Sequence, residues 1–253
     1  MRNLRFIISY DGTAYCGFQI QPNGVTIQGM IETAILKLTG ESVKVISSGR
    51  TDAGVHARAQ VINFVTHSAI PMQRWCLALN ARLPRDIVVL HGEEVPLIFH
   101  SRTAAKRKTY CYTIRRARFP DIFHRYYELH HPRKLDVEAM REALPCLVGE
   151  HDFTSFCTVR TDKENRVRTV YEAYMEVKQD RQFGVEADEQ IRVFLTGNGF
   201  LYNMVRIVVG TLLQIGEGKR SSSEMKRILE ACSRQAAGPT VEAVGLMLWN
   251  VEY

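Results

Sequence analysis

Residues 4–40, LRFIISYDGTAYCGFQIQPNGVTIQGMIETAILKLTG, contain the pattern that predicts the fold. Every second residue from Leu4 to Tyr10 is apolar, which is typical of a strand with one buried face. Apolar residues then recur at helical spacing from Ile27 to Leu38, with Thr26 as the predicted N-cap and Gly40 as the predicted stop. A strand followed by an amphipathic helix favours a mixed fold of helices and strands.

The rest of the chain extends this pattern into two halves. In the first half we predict further strands at 43–45, 60–66 and 86–90 and a helix at 72–83. The resulting order β-α-β-β-α-β is that of a ferredoxin-like, split βαβ unit. In the second half we predict strands at 109–114, 125–130, 170–177, 191–195 and 245–251, and helices at 136–148, 203–215 and 223–232. The predicted class is therefore α+β, with ferredoxin-like halves at 1–100 and 101–253 whose antiparallel sheets form a central cleft.

Composition excludes several classes of protein. The chain has 253 residues, of which 45% are hydrophobic and only 17 are Gly and 8 Pro, so it is not a disordered or collagen-like chain. No apolar run approaches the roughly 20 residues needed to span a bilayer, and the first residues lack an export pattern. The six cysteines form no C-x-x-C pair, which argues against a zinc site. We expect reduced thiols and a cytoplasmic protein.

Positive charge is concentrated in one segment of a chain whose net charge is +6. Residues 101–134, at the junction of the halves, contain 10 basic and 2 acidic side chains, and four tyrosines lie among them. Clustered cations suit phosphates, and aromatic rings offer surfaces on which unstacked bases can stack. The segment therefore indicates RNA or another polyanion as a partner, with a solvated edge strand as the alternative.

The stretch GRTDAGVHA, residues 49–57, is the strongest candidate for chemistry because it forms a loop between two predicted strands. Gly49 and Gly54 permit tight backbone geometry on either side of Asp52. Arg50 can pair with Asp52 and keep it ionised, so that the carboxylate can act as a nucleophile or a base. The alternative is a structural turn held by an Arg–Asp ion pair.

Two other motifs have alternative interpretations. Asp11-Gly12-Thr13 follows a strand as a phosphotransferase nucleophile loop does, but Ser9 stands where a second aspartate is needed, which favours a simple turn. Gly197–Phe200 precedes a helix with Arg206 in its first turn, which suits an anion, although such an arginine is often a surface residue. The histidines have no metal-ligand spacing, so no metal is expected.

These stretches together resemble the tRNA pseudouridine synthase A family. GRTDAGVHA and the QVINF that follows it at 60–64 resemble the signature of that family. Further blocks fall in the order of the family over nearly the whole chain: 8–21, 26–35, 106–114, 149–157, 164–171, 197–218 and 245–253.

The resemblance implies conversion of uridine to pseudouridine at positions 38, 39 and 40 of the tRNA anticodon stem-loop, without metal, cofactor or energy source. It assigns Asp52 as the catalytic aspartate, Arg50 as its partner and a filler of the space left by the displaced base, and Tyr110 as the ring that stacks on the uracil. Arg206 aligns with an arginine of the active cleft that pairs with the aspartate. The resemblance also implies a homodimer of chains built from two ferredoxin-like halves.

The residues leave several points of the mechanism open. Asp52 could attack sugar C1′ or uracil C6, and the general base could be Tyr110, Asp52 or a water. The basic side chains that we expect to bind the RNA backbone are Arg58, Lys106, Arg107 and Lys108. A non-catalytic RNA-binding module and a phosphotransferase using Asp11 remain as alternative functions.

Overall fold

The computed structural model of the chain describes residues 1–158, 165–180 and 188–253. Its helices are α1 (Ile27–Thr39), α2 (Met72–Asn80), α3 (Val137–Ala143), α4 (Met204–Gly216) and α5 (Glu224–Glu230). Its strands are β1 (Arg2–Tyr10), β2 (Ile46–Ser47), β3 (His56–Thr66), β4 (Ile87–Val95), β5 (Arg107–Arg116), β6 (Leu129–His131), β7 (Gly149–Asp152), β8 (Val167–Asp180), β9 (Asp188–Gly197) and β10 (Leu246–Glu252). Glu164, the first residue of the block 164–171, lies outside the described residues. The α+β class is confirmed.

The chain divides into two compact units, which are unit 1 (Met1–Lys106 with Met247–Tyr253) and unit 2 (Arg107–Leu246). The expected boundary was at 100/101, with all later residues in the second half. Residues up to Lys106 stay with unit 1 because the buried Ser101 bonds to Asn63 of β3, through its amide at 2.9 Å and its hydroxyl at 2.7 Å. The last strand also belongs to unit 1, since it pairs in parallel with the start of β3. None of the helices in the described ranges is long and apolar enough to cross a membrane.

In unit 1, β1 lies between β3 and β4 and is antiparallel to both. β2 pairs antiparallel with the far end of β3, at Ile46 and Ser47. The predicted order β-α-β-β-α-β is found in residues 2–95. The alternation of β1 is confirmed, because Leu4, Phe6 and Ile8 are fully buried. Thr26 and Gly40 cap α1 as predicted, with Gly40 at a φ of 76°.

The second strand was predicted at the wrong residues. The structure places β2 at Ile46–Ser47, whereas the sequence predicted 43–45. Side chains of α1 occupy the backbone of Val45: its amide donates to Glu32 at 2.9 Å, and its carbonyl accepts from Gln28 at 3.3 Å. Val45 therefore makes its hydrogen bonds to a helix, and strand pairing begins one residue later.

In unit 2, β5, β9, β8 and β7 form an antiparallel sheet in that order, and β6 pairs in parallel with β5. Helix α4 forms much of the core, since eleven of its thirteen residues are buried, the exceptions being Arg206 and Gln214. The predicted helix 136–148 is shorter, because Pro145 has no amide hydrogen and the chain continues as a 3-10 turn at Pro145–Leu147. The predicted strand 125–130 is also shorter, since residues before β6 form a turn on Asp121.

Candidate active site

Asp52 lies on a loop between β2 and β3 of unit 1, and we call residues 48–55 the Asp52 loop. Asp52 is half-buried, whereas Arg50 is exposed. The next strand, β3, begins at His56 and contains Arg58. Three of the predicted site residues, Arg50, Asp52 and Arg58, therefore belong to this loop and to the strand that follows it.

The first residues of the Asp52 loop are held by Gln60, which is fully buried on β3. The side-chain Nε2 of Gln60 donates to the carbonyl of Gly49 at 2.8 Å, and the side-chain Oε1 accepts from the hydroxyl of Ser48 at 2.6 Å. The amide of Ser48 also donates to the carbonyl of Val61 at 2.8 Å. One buried carboxamide thus fixes both the side chain and the backbone at the start of the loop.

The middle of the loop is held at Thr51, next to the carboxylate. The hydroxyls of Thr51 and Tyr10 are 2.7 Å apart, and the amide of Phe18 donates to the carbonyl of Thr51 at 3.0 Å. Gly17 packs directly on this backbone at a φ of 88°, where a Cβ would lie 2.8 Å from that carbonyl oxygen. Only glycine fits this position without displacing the loop.

The end of the loop is a tight turn. The amide of Val55 donates to the carbonyl of Asp52 at 3.1 Å, and Gly54 has the positive φ, 75°, that such a turn requires. This confirms the predicted role of Gly54. Gly49 is not among the described residues with positive φ. The turn also contacts Gly12, where a Cβ would lie only 2.1 Å from the carbonyl oxygen of Val55.

Residues 10–18 support the Asp52 loop along its length, and we call them the support segment. Besides the contacts of Tyr10, Gly12, Gly17 and Phe18, the carbonyl of Tyr15 accepts from the amide of Gly54 at 3.4 Å. Sequence reasoning did not connect the two stretches, since about forty residues separate them. The pattern of Gly12 and Gly17 after a strand was the available signal, because two glycines at close spacing allow one backbone to approach another.

Asp11, within the support segment, forms the turn that the sequence favoured. Its Oδ1 accepts from the amide of Thr13 at 2.9 Å and from the hydroxyl of Thr13 at 2.6 Å. The same oxygen lies 3.1 Å from Nδ1 of His56, and the amide of Gly12 donates to that nitrogen at 3.1 Å. The hydrogen bond from the amide of Gly12 to His56 joins the support segment to the start of β3.

Tyr110 lies on β5 of unit 2, with 9% of its surface exposed. Its ring meets the ring of Phe200 edge to face, with centroids 5.0 Å apart. Phe200 belongs to the loop before α4, which is fixed because Asn198 exchanges hydrogen bonds with the backbone of Thr169 at 3.0 and 3.1 Å. Sequence reasoning considered this loop for anion binding and missed the contact of Phe200 with Tyr110.

Arg206 is half-buried in the first turn of α4, as predicted. Its Nε donates to the carbonyl of Val241 at 2.7 Å, and its Nη1 donates to the side chain of Asn203 at 2.8 Å. Asn203 has a left-handed backbone, φ 61°, and its amide donates to Thr158 at 2.9 Å. Arg206 is therefore a fixed guanidinium within unit 2 and not a mobile surface side chain.

The four expected RNA-backbone residues differ in their surroundings. Arg58 is exposed and stacks on the ring of Trp249 at 4.3 Å. Arg107 is exposed and lies over the ring of Tyr171 at 4.8 Å. Lys106 is also exposed, and Lys108 is half-buried. Stacking leaves the N–H donors of a guanidinium available, so Arg58 is suited to a phosphate contact. Arg107 is also exposed, but its Nη1 lies 3.9 Å from the carboxylate of Glu172, with which a phosphate would compete.

The basic segment 101–134 presents less positive charge than its composition indicates. Arg115 is buried and pairs with the buried Glu128 at 2.8 Å. Arg116 pairs with Glu189 at 2.8 Å. Asp121, His124 and Glu128 come close enough to hold a cation, but Glu128 already accepts from Arg115 and Asp121 lies 2.7 Å from the ring of His124. Arg115 and Arg116 are therefore neutralised by carboxylates of unit 2.

Comparison with known proteins identifies the family. The family described as tRNA pseudouridine synthase matches residues 6–103 and 143–253, ranges that contain Asp52 and Arg206 but leave out Tyr110. The chain is 49% identical over 253 residues to tRNA pseudouridine synthase A of Brevibacillus brevis, covering 100% of both chains. It is 47% identical over 254 residues to the protein of that name from Anoxybacillus flavithermus, covering 100% of this chain and 99% of that one. The corresponding protein of Bacillus subtilis is 46% identical over 252 residues, with 99% and 98% covered. The chain belongs to the tRNA pseudouridine synthase family.

Proposed function

We propose that this protein isomerises uridine to pseudouridine in tRNA, at positions 38, 39 and 40 of the anticodon stem-loop, with Asp52 as the nucleophile. The observation that supports this most directly is the network of hydrogen bonds around the Asp52 loop. Gln60 binds the start of the loop, and the support segment binds its middle and its end. A half-buried carboxylate on a loop whose backbone is held at several points suits covalent catalysis, because the loop is ordered before the substrate binds.

The reaction needs a nucleophile and a base. It breaks the bond from uracil N1 to sugar C1′, turns the base and joins C5 to C1′, while C5 loses a proton and N1 gains one. The carboxylate of Asp52 can attack C1′ or uracil C6, which divides one difficult step into two easier ones. Tyr110, Asp52 or a water can take the proton from C5.

Other side chains bind the target nucleotide in this proposal. The uridine has to leave its stack, at a cost of a few kcal/mol. Stacking on Tyr110, whose ring is braced by Phe200, offsets part of that cost, and Arg50 fills the vacated space. Arg206 contributes a positive charge, and its bond to the carbonyl of Val241 fixes the position of the guanidinium.

Binding of the stem-loop backbone is assigned to Arg58, Lys106, Arg107 and Lys108. Arg58 and Arg107 support this most strongly, since both are exposed and stacked on rings. Phosphate contacts of this kind make affinity fall steeply with salt. From the family resemblance we further propose two ferredoxin-like halves, a homodimer and independence of metal and cofactor. The scattered cysteines support a cytoplasmic location.

Two alternatives differ from this proposal in their chemistry. A phosphotransferase would use Asp11, but one oxygen of that carboxylate already accepts two hydrogen bonds from Thr13. A non-catalytic RNA-binding module would gain nothing from a carboxylate near RNA phosphates, since like charges repel.

A tritium-release assay tests the proposal. The protein is mixed with unmodified tRNA that has tritium at uracil C5, in EDTA, beside transcripts in which cytidine replaces uridine at 38, 39 and 40. We expect release into water from the first RNA and none that depends on the enzyme from the substituted stem-loop. Binding without any release would support the non-catalytic alternative, and release from the substituted RNA would refute the proposed positions.

A further inference from the structure

Tyr10 lies at the end of β1, the strand that is paired on both edges in unit 1. The register of β1 against β3 shifts between Ile8 and Tyr10, and the extra residue lies on β3. Tyr10 therefore keeps the alternation of β1 and lies on the same buried face as Ile8. Here the phenol is buried, at 4% exposure, and its hydroxyl lies 2.7 Å from the hydroxyl of Thr51.

Thr51 directly precedes Asp52, and it is held from two directions. Its side chain contacts Tyr10, and its carbonyl accepts from the amide of Phe18 at 3.0 Å while Gly17 packs against the same carbonyl. The backbone at Thr51 determines the direction in which the next side chain leaves the chain. The hydroxyl of Tyr10 thus contacts the residue that directly precedes Asp52.

The hydroxyl of Tyr10 stays protonated near neutral pH. Burial raises the pKa of Tyr10 to about 12, and hydrogen bonds with Thr51 and Gln60 offset part of that rise. Gln60 is the residue that holds Ser48 and Gly49. Tyr10 therefore contacts both Gln60, which binds the start of the Asp52 loop, and Thr51 in its middle.

We propose that Tyr10 is a positioning residue, which acts through the hydroxyl of Thr51 to fix the carboxylate of Asp52 in its reactive orientation. The inference rests on the proposed function. A purely structural tyrosine would affect stability when changed, whereas a positioning residue affects the chemical step and leaves RNA affinity alone. A misplacement of about 1 Å in a reacting group can cost about a hundredfold in rate.

The test compares Tyr10→Phe, Thr51→Val and the double variant in single-turnover tritium release, with affinity for tRNA measured separately. Thr51→Ser keeps the hydroxyl and serves as the conservative variant. Tyr253→Phe is the matched control, because its hydroxyl donates to the carbonyl of Ser101 at 2.8 Å, away from the Asp52 loop.

We expect each single variant to react ten- to a hundredfold more slowly, with the dissociation constant for tRNA within twofold of the wild type. The double variant should be no slower than the slower single variant, because Tyr10→Phe and Thr51→Val each remove the same hydrogen bond. Thr51→Ser should recover to within about threefold, and Tyr253→Phe should react at the wild-type rate. A wild-type rate for Tyr10→Phe, or equal losses in Tyr253→Phe, would overturn the proposal.

Hydrogen exchange gives a readout that does not depend on activity. In Tyr10→Phe we expect the amides of residues 52–55 to exchange at least tenfold faster than in Tyr253→Phe. Unchanged exchange would overturn the positioning role even if the wild type were active. A wild type that released no tritium, together with faster exchange in Tyr10→Phe, would refute the proposed function and keep the role of Tyr10 in holding the loop.

Discussion

Substitution of Gly12 by alanine is expected to slow the reaction although Gly12 is outside the Asp52 loop. A Cβ at this position would lie 2.1 Å from the carbonyl oxygen and 2.6 Å from the carbonyl carbon of Val55. Ordinary contact begins at about 3.4 Å, so one backbone has to move by about 1.3 Å. Both atoms belong to the backbone of Val55 and not to a flexible side chain, so relief of the clash requires movement of the turn at Val55 or of the support segment bonded to it.

The shift is transmitted to the carboxylate. The amide of Val55 donates to the carbonyl of Asp52 at 3.1 Å, so displacement of Val55 moves Asp52, the proposed nucleophile. A displacement of about 1 Å corresponds to a rate loss on the order of a hundredfold. Forcing a methyl group into a packed site costs about 1–3 kcal/mol of stability as well. We expect Gly12→Ala to show both effects, with tRNA affinity within about threefold of the wild type.

Gly40→Ala is the matched control, because Gly40 has a φ of 76° but no atom of the described residues would lie within 4 Å of an added Cβ. Its left-handed backbone makes alanine cost about 1–2 kcal/mol without moving the Asp52 loop. Single-turnover tritium release and urea unfolding are measured for both variants. The reasoning is refuted if Gly12→Ala reacts within threefold of the wild type, or if Gly40→Ala loses as much activity.

Three further predictions concern stability and RNA binding. Glu128→Ala removes the buried carboxylate that pairs with Arg115 and should cost about 3–5 kcal/mol in urea unfolding. Glu138→Ala on the surface should cost less than about 1 kcal/mol, and equal costs would contradict the importance of the buried pair. Arg107→Glu should weaken tRNA binding and reduce the slope of log affinity against log salt by about 1, and an unchanged slope would exclude a phosphate contact. Because the pKa of Tyr10 is raised from 10.0 to about 12, only the unfolded chain loses this proton in that window, so the free energy of unfolding should fall as pH rises from about 10 to about 12. Tyr10→Phe should lessen that fall, and an identical pH dependence in the two proteins would show that Tyr10 does not titrate as described.

Local patterns in the sequence were sufficient for much of the fold. The alternation in β1, the N-cap Thr26 and the stop Gly40 act over a few residues, and the structure confirms them. The misplaced β2 had a different cause, because Val45 bonds to side chains of α1 instead of a strand. Such competition between partners depends on tertiary contacts, which periodicity does not report.

The sequence singled out Asp52 as the candidate nucleophile, which stays a prediction, but it did not reveal the residues that hold the Asp52 loop. Asp52 stood out because of its short side chain, its neighbouring glycines and its place between strands. Tyr10 and Gln60 have the pattern of ordinary strand residues, since their contacts join stretches of chain about forty and twelve residues away. Counting charge also overstated the basic segment, because Arg115 is neutralised by Glu128 within the core.

The most direct test of the central claim is the pseudouridine content of tRNA after incubation with the wild type and with Asp52→Asn. Asparagine keeps the shape of the side chain, so the Asp52 loop should stay in place. Its carboxamide cannot form the covalent intermediate. We predict full conversion by the wild type, and no pseudouridine with Asp52→Asn at equal occupancy of bound tRNA. Formation of pseudouridine by Asp52→Asn at the wild-type rate would contradict the claim that this carboxylate performs the reaction.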